Sequence, residues 1–117
     1  MMLKALALAA AVIVSAPAAA LAQRGDAKAH VEFGIKVAQN NLWKEAIYRW
    51  ERAVQIDPEY AQAWNNLGIG YEQEGRFDDA RAAYEKAIQL EPKNQMIQQN
   101  YDLFKEINDR TKRRSDR

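Results

Sequence analysis

The side chains of this chain that could do chemistry are few and scattered. His30 is the single histidine, and cysteine is absent. A transition-metal site draws on several imidazole or thiolate ligands, and here no second one exists. His30 instead reads as a half-buried packing residue. Four carboxylates, Glu72, Glu74, Asp78 and Asp79, lie close together in sequence. A carboxylate pair held at separated pKa values could serve as general acid and base. These four fall where one helix ends and the next begins, and they read as solvated helix-end charges. Neither of the two serines, Ser15 and Ser115, is paired with a base. Gly68, Gly70 and Gly75 lack the spacing of a phosphate-binding loop. The expectation is a chain with no catalytic residue, no metal and no cofactor, and so not an enzyme.

Charge argues against a second class. The chain holds 17 basic and 16 acidic residues, and Lys4 is the only charge before Gln23. Arg110, Lys112, Arg113, Arg114 and Arg117 crowd the last eight positions, opposed by Asp116 alone. Residues 23–109 therefore carry 11 basic against 15 acidic side chains, net −4. A mildly acidic body with a basic tail does not read as a nucleic-acid-binding domain. The run 110–117 reads as a disordered, solvated tail. Weak contact with anionic surfaces is the other reading of it.

The elements that must position any binding residue are helices. Trp64, Leu67, Gly68 and Tyr71 fall at relative positions 0, 3, 4 and 7, one face of an α-helix. Glu74-Gly75-Arg76-Phe77 is a break with a glycine that can take positive φ. Ala80, Tyr84 and Ala87 then mark a second helical face, and Pro92 closes the unit. An offset of 34 residues back from 61–94 lands on 27–60, and ten positions coincide. Gly34/Gly68, Ala46/Ala80, Ala53/Ala87 and Pro58/Pro92 are among them, the small or terminating residues that geometry constrains most. Asn41 stands where Gly75 stood, and asparagine tolerates the left-handed turn next best. His30 stands where Trp64 stood.

Trp64, Leu67-Gly68, Tyr71, Ala80, Tyr84, Ala87 and Pro92 resemble the tetratricopeptide repeat in order and spacing. The fold class this implies is all-α: two tandem helix-turn-helix hairpins plus a C-terminal capping helix, preceded by a signal peptide. Repeat 1 spans 27–60, with helices over 27–40 and 43–56. Repeat 2 spans 61–94, with helices over 61–74 and 77–90. Residues 95–109 form the capping helix, because Asp102 and Lys105 break the pattern there. Asn94 is placed to cap its start. The core should be carried by Phe33, Trp50, Val54, Ile56, Trp64, Leu67, Tyr71, Tyr84, Ile88 and Leu90.

Residues 1–22 describe a secretory signal peptide. Lys4 gives a positive start, an apolar run covers 5–14, and Ala20-Leu21-Ala22 precedes Gln23. The expected cleavage is after Ala22, leaving 23–26 as a short polar lead. The alanine-rich run looks bacterial, so the mature chain is expected in the periplasm or secreted.

The resemblance places the working surface on the concave side, lined by the first helix of each unit. Carried over position by position, it comprises Lys28, Val31, Ile35 and Gln39, then Gln62, Asn65, Ile69 and Gln73. Family members that clamp a C-terminal carboxylate use a set of lysine, asparagine and other basic positions. Only Asn66 matches that set; Val31, Ile35, Met96 and Asn100 stand at the others, so the clamp is absent. What remains is an apolar line, Val31-Ile35-Ile69, flanked by amides and suited to an extended or helical peptide. Two readings of the line stay open: it receives a protein or peptide partner, or the capping helix covers it through Met96, Leu103 or Ile107. The functional expectation is a non-enzymatic interaction module. The alternative is a self-assembling subunit, since two repeats fall short of the three usually needed and a homo-oligomer would complete the array.

Overall fold

A computed structural model describes residues 16–117. The signal-peptide reading over residues 1–15 lies outside the described residues. Five helices follow in order: α1 Ala16–Gln39, α2 Trp43–Ile56, α3 Ala61–Gln73, α4 Phe77–Leu90 and α5 Gln95–Ser115. Among the described residues there is no strand. The chain is an all-α array of two helical hairpins, α1–α2 and α3–α4, with α5 as the cap.

The hairpins turn by one device used twice. Asn41 has φ 61° and Gly75 has φ 74°, the left-handed values that end a helix sharply. After α1, Leu42 N–H reaches back to the Val37 carbonyl at 3.0 Å and Asn41 N–H to that of Ala38 at 2.9 Å. After α3, Arg76 N–H reaches Tyr71 at 2.8 Å and Gly75 N–H reaches Glu72 at 3.1 Å. Both turns thus satisfy the orphan carbonyls of a helix end in the same pattern. The turn between the units is held differently: the Trp64 indole N–H donates to the Pro58 carbonyl at 2.7 Å.

Within each unit, one glycine faces one aromatic ring. A Cβ on Gly34 would collide with Trp50 Nε1, and one on Gly68 would lie 2.7 Å from the Tyr84 ring. Ala46, Ala53, Ala80 and Ala87 have no exposed surface and line the same seams. Trp50 also joins the units, because a Cβ on Gly70 of α3 would lie 3.1 Å from its ring and 2.8 Å from Ile47. Its buried indole N–H donates to the Val31 carbonyl at 3.1 Å, so the ring is buried with its polar atom satisfied. The resulting core runs from Ala27, Val31 and Ile47 through Trp50 to Ala63, Leu67 and Ala83.

Helix α5 occupies the place of a third unit's first helix. The 34-residue offset sets Ile97, Tyr101 and Phe104 at the positions of Ala63, Leu67 and Gly70. Ile97 and Phe104 are buried, and Tyr101 packs partly buried beside them. Phe104 stacks at 5.5 Å from Tyr84 and 6.4 Å from Tyr101. Asn94 caps the helix as expected, accepting from the backbone N–H groups of Met96 and Ile97.

Three expectations are corrected. The region 23–26 is not a polar lead outside the fold, because α1 begins at Ala16 and runs through it. Alanine is the best helix former, and the alanines there favour a helix by propensity alone. The tail 110–117 is not disordered, since α5 continues to Ser115. Arg110 pairs with Glu106 one turn back, and Lys112, Arg113 and Arg114 complement the negative end of the helix. Phe33 is 45% exposed rather than core. Its counterpart Leu67 is buried against the preceding unit, and among the described residues no unit packs against Phe33 in that way.

Gly68→Ala should lower stability by about 1–3 kcal/mol, since the new methyl meets the Tyr84 ring. Urea denaturation of Gly68→Ala, Tyr84→Ala and the double variant checks this. The double variant should lose clearly less than the sum of the singles, because the clash vanishes with the ring. Additive losses would show that the glycine and the ring are not in contact.

Candidate functional site

The structure separates the eight concave-face positions into three groups. Lys28, Gln39, Gln62 and Gln73 are exposed. Lys28 lies 4.0 Å from Glu32 one turn on. Ile35 and Ile69 are half-buried: Ile35 packs on the main core and Ile69 on the Tyr84–Phe104 cluster. Val31 and Asn65 are not surface at all, with 1% and 2% of their area exposed. Both corrections have one cause. The offset makes Val31 and Asn65 the same position, and each is shut in where another first-type helix follows. Val31 belongs to the core cluster that holds Ala63 and Leu67 of α3. Asn65 accepts a hydrogen bond from the Asn100 side chain of α5 at 3.2 Å. At the third such position, on the last helix, Gln99 is exposed. Asn66, the one position matching the carboxylate clamp, is also buried, and its Nδ2 meets no acceptor.

The capping helix does not cover the face through Met96, Leu103 or Ile107. Those three side chains are 54%, 57% and 51% exposed. Helix α5 docks with Ile97 and Phe104 instead, about a quarter turn round the helix, while Asn100, on the edge of the exposed stripe, meets Asn65. The 34-residue offset sets Met96, Leu103 and Ile107 at the positions of Gln62, Ile69 and Gln73. The concave register therefore continues onto α5, where its polar members become apolar. The signal was available in the sequence: the same offset applied to the cap would have found it.

The groups weighed for catalysis are engaged or solvated. Tyr84 donates its hydroxyl to Glu72 at 3.2 Å. Burial pushes the Glu72 carboxyl up, partly offset by that hydrogen bond. Burial also pushes the Tyr84 phenol well above its usual value, helped by the Glu72 charge. Burial raises Tyr71 to about 12, with Glu51 contributing. Asp79 pairs with Arg76 at 2.9 Å, and Asp78 is exposed in the first turn of α4. His30 is half-buried on α1 beside Phe33 and Arg49. Among the described residues, no three His, Cys, Asp or Glu side chains converge on a point that could hold a metal ion. No described helix is long and apolar enough to cross a membrane.

The Asn65–Asn100 pair ties the cap to the array, and its removal is a clean test. Asn100→Ala should cost about 1–3 kcal/mol, because it leaves the buried Asn65 amide unpaired. Replacing both asparagines by leucine should recover most of that loss, since no polar group is then stranded. Equilibrium denaturation distinguishes the outcomes, and equal losses for single and double variants would show that the amide pair is not what matters.

Comparison with known proteins agrees with this architecture. Residues 61–94 match the family model described as tetratricopeptide repeat, a span that covers α3, its turn and α4. Residues 37–75 match a second model, described as TPR repeat, which runs from the end of α1 through α3. Comparison with curated proteins yields no match. The two matched spans together run over residues 37–94, so the α3–α4 hairpin and the α2–α3 junction are similar to tetratricopeptide repeats, in an all-α array closed by a capping helix.

Proposed function

We propose that this chain is a non-enzymatic adaptor or scaffold that holds a protein or peptide segment on its concave first-helix face. Tetratricopeptide repeats generally mediate protein–protein interaction. The observation that supports this surface is the apolar line Met96-Leu103-Ile107, each side chain more than half exposed and in register with Gln62, Ile69 and Gln73. Large apolar groups aligned on one side of an exposed helix mark an interaction surface more than singly scattered ones do. The amides of Gln62, Gln73 and Gln99 flank the line and can serve the backbone of an extended or helical segment. Ile35 and Ile69 form the half-buried floor. The partner site is thus shifted toward the C-terminal end of the array.

We infer an envelope location from the N-terminal pattern, and burial in α1 is compatible with processing. Ala18, Ala22, Arg24, Gly25 and Asp26 are exposed, while Ala27 belongs to the core. Ala27 and every other core residue among those described lie after Ala22, so cleavage there would leave them in place. Intact-mass measurement of protein from its native envelope should give a chain starting at Gln23. A species that keeps Met1 would overturn export with cleavage.

A photo-crosslinking residue at Gln99, followed by capture from envelope extract, tests the surface. The crosslinked species should disappear on Leu103→Asp with Ile107→Asp, while the helical circular-dichroism signal and cooperative melting persist. Those side chains are exposed, so the substitutions should change stability little. A crosslink that survives both changes would place the partner elsewhere.

A further inference from the structure

Helix α1 has an edge that no other described part of the chain covers. Ala29 and Phe33 are exposed there and His30 is half-buried. Beside them stand Arg49, Arg52 and Ile56 of α2, and with Asp26 these residues line an open depression of about 430 Å³. The 34-residue offset names the counterparts in the second unit: Ala63, Trp64, Leu67, Ala83, Lys86 and Leu90. Ala63, Leu67 and Ala83 are buried, in one cluster with Ile47 and Trp50 of α2. The second unit therefore seats itself on a helix with the same positions that the first unit leaves open. By this internal symmetry, the open edge is shaped to receive a helix.

The chemistry of the open seat differs from its covered twin. Arg49 stands where Ala83 is, and Arg52 where Lys86 is. The Arg49 guanidinium lies 4.2 Å over the Phe33 ring, a stack that holds it in place. Arg52 donates to Gln55 at 2.9 Å. Among the described residues, neither arginine has a carboxylate within ion-pair distance; the four ion pairs lie elsewhere. An aromatic floor with two such guanidinium groups favours a ligand that is apolar along one stripe and carries carboxylates beside it. A second copy's capping helix fits poorly, since its distal half carries Lys105, Arg110, Lys112, Arg113 and Arg114.

We propose that this edge docks an acidic amphipathic helix of another protein, lying where the second helix of a preceding unit would lie. Its apolar stripe rests on Phe33 and Ile56, and its carboxylates meet Arg49 and Arg52. This surface is separate from the concave face and does not depend on it.

Helix α2 is what covers the twin seat, so its sequence supplies the probe. Two labelled peptides of residues 43–56 share the apolar stripe: an acidic one with Lys44→Glu and Gln55→Glu, and a basic one with Glu51→Lys and Gln55→Lys. Fluorescence anisotropy against the full chain should show the acidic peptide binding about tenfold tighter or more. Arg49→Gln with Arg52→Gln in the chain should abolish that preference, with an unchanged melting curve, while Leu103→Asp should leave it intact. Equal binding of the two peptides, no binding of either, or a preference that survives loss of both arginines would overturn the proposal. Self-association seen by sedimentation and broken by Arg49→Glu would overturn it too, by assigning the seat to a second copy.

Discussion

A glycine set against an aromatic ring is the contact on which the rest of this structure depends. Gly34 lets Trp50 lie flush on α1, and Gly68 lets Tyr84 lie flush on α3. Any Cβ at these positions would hold the helices of a hairpin apart, and the alanines along the seam would then face voids instead of neighbours. Trp50 carries the constraint further, because its far edge meets Gly70 of the next unit while its indole N–H is anchored on Val31. One side chain thus fixes the spacing within a unit and between units. Tyr84 repeats the arrangement one unit later, where Phe104 of the cap replaces the glycine and stacks on the ring.

Since every unit uses the same positions, burial is decided by neighbours rather than by residue type. Phe33 is more apolar than many core residues, yet it is exposed because no described helix packs on that side of α1. Asn65 is polar, yet it is buried because α5 follows it. A short array has a large share of such end positions. The surfaces left open among the described residues therefore lie at the two ends: Arg49 and Arg52 with Phe33 on the α1–α2 edge, and the apolar line on α5. The middle of the array is spent on holding itself together.

The sequence was most legible where geometry leaves few choices. Helices α2 and α4 run over the predicted residues 43–56 and 77–90, because Asn41, Gly75, Pro58 and Pro92 punctuate them. Asn94 read correctly as a cap for the same reason. The outer ends of α1 and α5 carry no such punctuation: alanine propensity extends the one and end charges the other. At the site, a single repeat shows Val31 and Asn65 as surface, and only the helix that follows each one buries it. Of the two readings of the apolar line, coverage by Met96, Leu103 or Ile107 is the one the structure removes, because Ile97, Tyr101 and Phe104 already supply an inward face at the spacing 0, 4 and 7.

That spacing also shows what the Asn65–Asn100 amide pair adds to the cap. An apolar face of Ile97, Tyr101 and Phe104 on its own would tolerate a slide of one helical turn, since greasy contacts are weakly directional. Asn65 does not tolerate it. A slide of four residues would set Met96 or Phe104 against its carbonyl oxygen and strand a buried polar group, at about 1–3 kcal/mol. The Asn65–Asn100 hydrogen bond, with the Phe104–Tyr84 stack, therefore selects one register for the capping helix. That register determines which side of α5 continues the concave face, and so which side chains a partner would meet. The polar contact contributes little to the area buried, but it turns a generic cap into a surface of defined composition.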